Sequence, residues 1–376
     1  MKRARLASVL LTLLLASSAG CGGATSPGMS TSSATPLAIV GADVSSLAAV
    51  EHAGGVFSDA LGTADALTIL KRNGVTHVRL RLFHAPDTTT ERVNSLAYDL
   101  ALARRARQQG LQVILDIHYS DDWADPGHQA TPAAWIALGE QSLRDSVFAY
   151  TRDVVAAFRA AGATPDIIQL GNEVNGGMLW PSGHADKLDS EWAKFAALLT
   201  AGRDGARAAL AGVSSVRFMH HVADARTVTW HMDHLLPHLD WKPDLIGVSY
   251  YPFWHGDMTQ FRASIGEIAN RYAVPIVVAE TAYPWTNQSF DRAPDAWHGT
   301  PEAWMPPFTP QGQATFLAQL ESAIRATPGG LGAGVVYWEP AWLPSARFGS
   351  PVDNLTLFDA TGRALPGLAQ LGATRP

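Results

Sequence analysis

Eight short apolar segments alternate with longer segments of helical periodicity from Leu37 almost to the end of the chain, and this alternation limits the fold more than any other feature. Segments such as Ile276-Val277-Val278-Ala279 are apolar throughout, which indicates parallel strands buried on both faces. The predicted strands are Ile39–Ser45, Val75–Phe83, Leu111–Tyr119, Asp166–Glu173, Ser215–Val222, Asp244–Tyr251, Pro275–Thr281 and Gly334–Glu339. The predicted helices are Ala64–Asn73, Ser95–Gln109, Ser142–Ala161, Asp189–Ala211, Val228–His238, Phe261–Tyr272 and Gln311–Ala326.

A parallel sheet with alternating helices forms either an open doubly wound sheet or a closed barrel. No Gly-x-Gly-x-x-Gly motif follows the first strand, so the dinucleotide-binding form of the open sheet lacks its phosphate loop. Eight β/α units favour the barrel. The sequence therefore predicts the α/β class: a (β/α)₈ TIM barrel formed by a single catalytic domain, residues 37–376 with a C-terminal tail, and a long loop at Ala282–Pro310.

The first 36 residues differ in composition from the rest. Basic residues precede the apolar run Leu6–Ala16, and Ser18-Ala19-Gly20-Cys21 is similar to a bacterial lipoprotein box, although Ser18 stands where Leu is usual. We expect residues 1–21 to be a signal peptide with a lipid attached at Cys21, and residues 22–36 to be a flexible linker. The protein would then be exported to the cell surface or outer membrane. An ordinary cleaved signal, giving a periplasmic or secreted protein, is the alternative.

Charge and cysteine content exclude several classes of partner and cofactor. The chain has 28 Lys and Arg against 34 Asp and Glu, with no long basic run, so no nucleic-acid partner is expected. One cysteine excludes an intramolecular disulfide framework and a Cys-rich metal site. We expect no cofactor, membrane contact only through the lipid on Cys21, and a monomer.

Polar or aromatic residues occupy the end of every predicted strand. In a (β/α)₈ barrel these ends and the following loops form the active site. Five carboxylates are candidates for catalysis: Asp43, Asp116, Glu173, Glu280 and Glu339. Retaining glycoside hydrolysis needs two carboxyl groups about 5–5.5 Å apart. Strands four and seven are expected to face each other across the barrel mouth, which makes Glu173 and Glu280 the preferred pair. Asp116 is expected to orient His118 or Arg79, or to form a core salt bridge.

Six motifs in order along the chain resemble glycoside hydrolase family 53, the arabinogalactan endo-β-1,4-galactanases of clan A. They are Gly41-Ala42-Asp43-Val44-Ser45, Val78-Arg79-Leu80-Arg81, His118-Tyr119-Ser120-Asp121 with Trp123-Ala124-Asp125-Pro126, Gly171-Asn172-Glu173, Ser249-Tyr250-Tyr251-Pro252-Phe253-Trp254 and Tyr337-Trp338-Glu339-Pro340. The resemblance implies a retaining endo-β-1,4-galactanase acting on pectin side chains, with Glu173 as acid/base and Glu280 as nucleophile. It also implies that Arg79 and Tyr250 hold Glu280, and that His118 and Asn172 line the sugar subsite.

Several tryptophans follow predicted strand ends, where their flat faces could stack on sugar rings along a polysaccharide cleft. They are Trp123, Trp180, Trp254, Trp285 and Trp342. Trp338, inside strand eight, is similar to the aromatic floor of clan A sites. The predicted substrate-binding set is Asp43, Arg79, His118, Asn172, Tyr250, Trp338, Trp123, Trp254 and Trp342, and its partner is β-1,4-galactan.

Two groups of possible metal ligands are interpreted as structural. His231, His234 and His238 share a helix that is expected to lie on the outer ring, away from the site. Some bacterial members of the family bind calcium after strand seven, but Asp291 and Asp295 lack the Asp-x-Asp pattern, so no metal is predicted. Only one of His220 and His221 can point inward, since strand side chains alternate.

Two other functions remain open. Another clan A glycanase, such as a mannanase or xylanase, would keep both glutamates and change the loops. A surface polysaccharide-binding lipoprotein without catalysis would lack a glutamate, but both are present.

Overall fold

The computed structural model describes residues 37–345 and 348–373. The predicted signal peptide, its Cys21 and the linker lie outside these residues. Eight parallel strands close into a barrel in chain order, so the TIM-barrel prediction is confirmed. The strands are β1 Ile39–Asp43, β2 His77–Leu82, β3 Gln112–Ile117, β4 Ile167–Leu170, β5 Arg217–Ala223, β6 Leu245–Ser249, β7 Ile276–Thr281 and β8 Gly332–Tyr337.

Helices surround the barrel between successive strands. They are α1 Leu47–His52, α2 Ala66–Arg72, α3 Leu96–Gln108, α4 Glu140–Ala160, α5 Asp189–Ala209, α6 Ala225–Leu235, α7 Pro252–His255, α8 Met258–Tyr272, α9 Pro310–Arg325 and α10 Pro366–Gly372. The seven predicted helices correspond to α2–α6, α8 and α9. The short helices α1, α7 and α10 were not predicted: α1 and α7 have only six and four residues and carry little periodic signal. A small hairpin, Phe57–Asp59 with Gly62–Ala64, was also not predicted.

The barrel interior has an apolar lower layer and a polar upper layer. The lower layer is Ile39, Ile114, Ile167, Met219, Leu245, Val277, Ala279 and Val336, all buried. Strand alternation then carries the next inward positions toward the carboxyl ends: Arg79 on β2, Asp116 on β3, Gln169 on β4 and His221 on β5. The outward positions pack in the larger cluster between barrel and helices.

The pairing of β6 with β7 shifts register where the site begins. Val248 pairs with Val278, but Ser249 pairs with Glu280, so Ala279 is the extra residue of a bulge. Ala279 belongs to the interior layer, and Glu280 follows it directly. Simple alternation would point Glu280 outward, and the bulge turns its side chain inward instead.

The 282–309 segment between β7 and α9 forms a loop with no helix or strand, as expected. No helix in the described part of the chain is both long and apolar enough to span a bilayer.

Candidate active site

A cleft of about 710 Å³ opens at the carboxyl ends of the strands. Nine of the predicted catalytic and substrate-binding residues line this cleft: Arg79, His118, Trp123, Asn172, Glu173, Trp254, Glu280, Trp338 and Trp342. The predicted site residues that do not line the cleft are Asp43 and Tyr250. Asp43 lies just beneath the cleft, where it binds Arg79.

Arg79 is the centre of the polar layer. Its side chain is fully buried and lies 2.8 Å from each of three carboxylates, those of Asp43, Asp116 and Glu280. It also donates to Asn172 Oδ1 at 2.8 Å. A buried guanidinium needs such partners, because an unpaired charge loses its hydration without compensation. Arg79 therefore fixes the positions of residues from β1, β3, β7 and the turn after β4 relative to one another.

Asp116 binds both Arg79 and His118, the two residues that it was expected to orient. Its Oδ2 lies 2.8 Å from Arg79 and 3.0 Å from His118 Nε2. Burial acts to raise the pKa of Asp116, but Arg79 and His118 outweigh it, and the pKa is below its ordinary value. The amide of Ala124 donates to His118 Nδ1 at 3.1 Å. His118 therefore carries its proton on Nε2, facing Asp116.

Glu280 is held by a tyrosine other than the one expected. Tyr251 Oη donates to Glu280 Oε2 at 3.1 Å, and Arg79 binds the other carboxylate oxygen. The predicted partner, Tyr250, instead donates to the Gly256 carbonyl at 3.0 Å and stacks on Phe261. The assignment of Tyr250 was therefore wrong by one residue. Ser249 and Tyr251 share the inward direction beyond β6, and Tyr250 lies between them and points out.

Glu173 lies three residues beyond the end of β4. The prediction that it lies within the strand was wrong. The chain leaves β4 through Gly171, whose φ of +83° and close contact with Val174 would not tolerate a β-carbon. Glu173 itself has a φ of +47°. The side chain of Gln129 fixes this turn by donating to the carbonyls of Asn172 at 2.7 Å and Glu173 at 3.3 Å. The turn directs the half-buried Glu173 carboxyl into the cleft.

The two glutamates differ in their charged neighbours. Burial and then the negative charge of Glu280 raise the pKa of Glu173 to about 8. Burial also raises the pKa of Glu280, but Arg79 and the Tyr251 hydroxyl act in the opposite direction. Because Arg79 binds Glu280 directly, one proton shared by the pair resides on Glu173. The arrangement supplies one acid and one carboxylate side by side.

These glutamates are not on opposite strands. β4 and β7 are three steps apart around the barrel, with β5 and β6 between them. Residues of β6 and its exit contact both groups, since Ser249 Oγ donates to Glu173 Oε1 and Tyr251 donates to Glu280. The expectation that strands four and seven face each other directly was inaccurate, and β6 fills the gap.

The aromatic walls of the cleft come from the loop after β3, from α7 and from the segment after β8, so Trp338 lies just beyond strand eight and not inside it as predicted. Trp123, Trp254, Trp338 and Trp342 line it, and Trp254 is 50% exposed. Trp180 and Trp285 do not line it: Trp180 donates to the Gly176 carbonyl, and Trp285 stacks on Phe290. Arg81 lies over the Trp123 ring at 4.0 Å from its centroid, and Glu339 holds Arg81 at 3.1 Å. Glu339 thus supports the wall from below and does not face the reacting pair.

The candidate metal residues have other partners. His231 Nε2 lies 2.8 Å from His220 Nε2, and His238 contacts Asp189 on α5. In the loop after β7, Asp291 accepts from the amides of Ala293 and Ser350. Within residues 37–345 and 348–373, no three His, Cys, Asp or Glu side chains are arranged to hold a metal ion. The absence of calcium stays a prediction.

Three polar residues of the site were not singled out from the sequence: Ser249, Tyr251 and Gln169. Alternation counted from buried Leu245 through Gly247 places Ser249 and Tyr251 on the inward face, so this signal was available. For the His220-His221 pair, the structure shows that His221 points into the barrel.

Comparisons with known proteins agree with this geometry. The family model for Glycosyl hydrolase family 53 matches residues 39–371. The arabinogalactan endo-β-1,4-galactanase of Thermothelomyces thermophilus is 33% identical over 338 residues, covering 88% of this chain and 97% of that protein. The Ignisphaera aggregans GH53 catalytic domain has a TM-score of 0.80 at 30% identity, covering 93% of this chain and 98% of that one. A structure from two fungal β-1,4-galactanases has a TM-score of 0.77 at 32% identity, covering 89% and 99%.

Proposed function

The chain belongs to glycosyl hydrolase family 53, and from this premise we propose that it is a retaining endo-β-1,4-galactanase acting on galactan and type I arabinogalactan side chains of pectin. Two relatives are named arabinogalactan endo-β-1,4-galactanase and endo-β-1,4-galactanase, and the match covers 97% and 84% of their lengths. The observation that carries the proposal is the glutamate pair in the cleft, in which Arg79 contacts Glu280 directly and Glu173 has the raised pKa of about 8.

In the first step, a Glu280 oxygen attacks the anomeric carbon while Glu173 gives its proton to the departing glycosidic oxygen. The bond between the anomeric carbon and that oxygen breaks, and a galactosyl ester of Glu280 forms. The ester carries no charge, so the repulsion that had kept the proton on Glu173 disappears. Glu173 then takes a proton from water, which displaces Glu280 and restores the starting state.

The open cleft and its four tryptophans support cleavage inside a chain, because several sugar rings can lie along aromatic faces at once. The test of substrate is reducing-end release from pure galactan, mannan and xylan. Activity on galactan is expected. Activity on mannan or xylan without activity on galactan would contradict the substrate assignment.

The test of the two roles uses azide with an activated galactoside. Glu280→Ala should be rescued by azide with formation of the inverted α-glycosyl azide. Glu173→Ala should give the retained β-azide, because Glu280 still forms the ester. The opposite pairing of products would reverse the roles, and wild-type rates in either variant would contradict both.

We also propose that the protein is exported and carries a lipid on Cys21, supported by the basic, apolar and small-residue order of residues 1–21. Mass spectrometry of the mature N-terminus tests this. Acylated Cys21 is expected, and an unmodified terminus would contradict it. Cys21→Ser should release the protein from membranes.

A further inference from the structure

A chain of buried hydrogen bonds connects Glu173 to β5. Ser249 Oγ donates to Glu173 Oε1, and His221 Nε2 lies 2.9 Å from Ser249 Oγ. His221 Nδ1 lies 3.1 Å from Gln169 Nε2 and 3.0 Å from Asn172 Oδ1. Ser249 and His221 are fully buried and do not line the cleft. They therefore act on the reaction only through Glu173.

The direction of each hydrogen bond follows from the number of hydrogens available. Ser249 has one hydroxyl hydrogen, and it goes to Glu173, so Ser249 must accept from His221 Nε2–H. Nδ1 of a neutral His221 is then an acceptor, so the donor within reach is Gln169 Nε2 at 3.1 Å, and the 3.0 Å contact of Nδ1 with Asn172 Oδ1 is not a hydrogen bond. Burial, with the positive charge of Arg79, lowers the pKa of His221 well below its ordinary value. His221 is thus a neutral donor with one fixed tautomer.

This chain leaves only one oxygen of Glu173 available for chemistry. With Oε1 bound to Ser249, rotation of the carboxyl group is restricted, and Oε2 is the atom that exchanges a proton with the leaving oxygen or with water. General acid catalysis requires such a fixed approach, because proton transfer occurs only within hydrogen-bond reach.

We propose that Ser249 and His221 are positioning residues that orient the acid/base Glu173 by binding the oxygen that does not face the sugar. The inference rests on the proposed function, since it takes Glu173 as the acid/base. It adds two residues to the machinery, one from β5 and one from β6.

Other charged or titratable groups also act on Glu173. They are Glu280 on β7, Arg79 on β2, Asp125 in the loop after β3 and Tyr251 after β6. Against this background, the Ser249 hydroxyl favours the carboxylate form, so its removal raises the pKa of Glu173. The loss of Ser249 should therefore move the alkaline limb of the pH profile to higher pH.

The experiment compares Ser249→Ala and His221→Gln with His220→Gln as a matched control. His220 is the neighbouring residue on β5, but it points away from the site and pairs with His231. Each protein is assayed on a galactan oligomer, whose sugar leaving group needs protonation, and on a dinitrophenyl galactobioside, whose leaving group does not. Thermal unfolding and circular dichroism show that each variant is folded.

For Ser249→Ala we expect kcat/KM on the oligomer to fall about 10-fold, and the alkaline limb of its pH profile on the oligomer to move to higher pH. On the dinitrophenyl substrate, kcat/KM should change little. His221→Gln should show a smaller effect of the same kind, and the double variant should be no worse than Ser249→Ala, since both act through one hydrogen bond. His220→Gln should lower Tm but keep the wild-type ratio of the two substrates.

The inference is overturned by a folded Ser249→Ala protein that keeps the wild-type ratio of the two substrates and the wild-type alkaline limb. If His221→Gln does not fold, the Ser249→Ala result alone decides. Equal losses on both substrates would also overturn it, because they would indicate a general structural defect. A wild-type protein that cleaves neither substrate would instead overturn the proposed function.

Discussion

Arg79 Nη1 lies 2.8 Å from Glu280 Oε1, and both side chains are buried and line the floor of the cleft. The same guanidinium binds Asp43 and Asp116, so one positive charge stabilises three carboxylates. This contact distinguishes Glu280 from Glu173, because it keeps Glu280 ionised while its neighbour holds the proton. In the proposed reaction, two identical side chains thus take opposite roles.

Arg79→Lys should therefore disable the pair. A lysine cannot reach all five partners of the guanidinium, which include the Gln169 side chain, so Glu280 loses stabilisation of its charge and its pKa rises. We expect kcat/KM to fall at least about 100-fold and the acidic limb of its pH profile to move to higher pH. The measurement is kcat/KM against pH.

Arg105→Lys is the matched control, since Arg105 also binds two carboxylates, those of Glu51 and Asp65, but outside the cleft. It should keep the wild-type activity. An active Arg79→Lys enzyme with an unchanged acidic limb would show that Arg79 does not set the ionisation of Glu280.

Tyr251→Phe and Tyr250→Phe form a second matched pair, because each removes one hydroxyl from adjacent residues. Tyr251 donates to Glu280, and a hydrogen bond to a charged group contributes about 1.5–3 kcal/mol. We expect a loss of about 10-fold or more in kcat/KM for Tyr251→Phe. Tyr250→Phe loses a bond to the Gly256 carbonyl and should lower stability by about 1 kcal/mol with activity retained. Kinetics and urea unfolding of both variants test this. Loss of activity in Tyr250→Phe, with activity retained in Tyr251→Phe, would show that Tyr250 is the site residue.

Protonation of Glu173 should set the alkaline limit of activity. Its pKa is raised to about 8, mainly by burial and then by Glu280, and only the protonated form can act as acid. We expect kcat/KM on galactan oligomers to fall as pH rises through about 8. With a dinitrophenyl leaving group, which needs no proton, this alkaline limb should disappear. An identical limb for both substrates would assign it to another group.

Acid should destabilise the fold through His220 and His231. His231 Nδ1 lies 3.1 Å from the Asn175 carbonyl and must donate to it, so Nε2 accepts from His220. Burial, which outweighs the Asn175 bond, lowers the pKa of His231 to about 4. The unfolded chain, with an ordinary His pKa near 6.5, therefore binds the proton first. Stability contributed by neutral His231 is present above pH 6.5 and is lost as the pH falls toward 4.

His231→Gln tests this, because glutamine can make both hydrogen bonds and does not titrate. Between pH 7 and pH 4, the free energy of unfolding should fall by less in this variant than in wild type. The difference between the two decreases should be at most about 3 kcal/mol. Urea unfolding at several pH values gives the difference. His234→Gln, an exposed neighbour on α6, should follow the wild type. Parallel curves for all three proteins would contradict the prediction.

Much of the architecture was predictable because it depends on local periodicity. Runs such as Val277–Ala279 favour buried strands, and the amphipathic segment at α8 favours a covering helix. The meeting of Glu173 and Glu280 in one cleft was predictable because the strand ends of a barrel converge on one rim. Short elements such as α1 and α7 were missed, since a helix of four to six residues carries little periodic signal.

Errors were concentrated where the chain departs from regular geometry. The assignment of Tyr250 in place of Tyr251 is the exception, because regular alternation along β6 continues to Tyr251 and already indicates its inward direction. Glu173 was placed on a strand, but β4 ends at Leu170 and a turn with positive φ follows. Such departures depend on packing against neighbouring strands, which no local pattern records.

The sequence by itself determined the barrel and the rim at which Glu173 and Glu280 lie, because periodicity and strand-end chemistry are properties of short segments. Only the tertiary structure decided which way each side chain at that rim points. The bulge at Ala279 turns Glu280 inward, and His221 rather than His220 reaches the site. The physical reason is that a shift of one residue in strand register reverses a side chain, and that register is set by hydrogen bonds between strands distant in the chain.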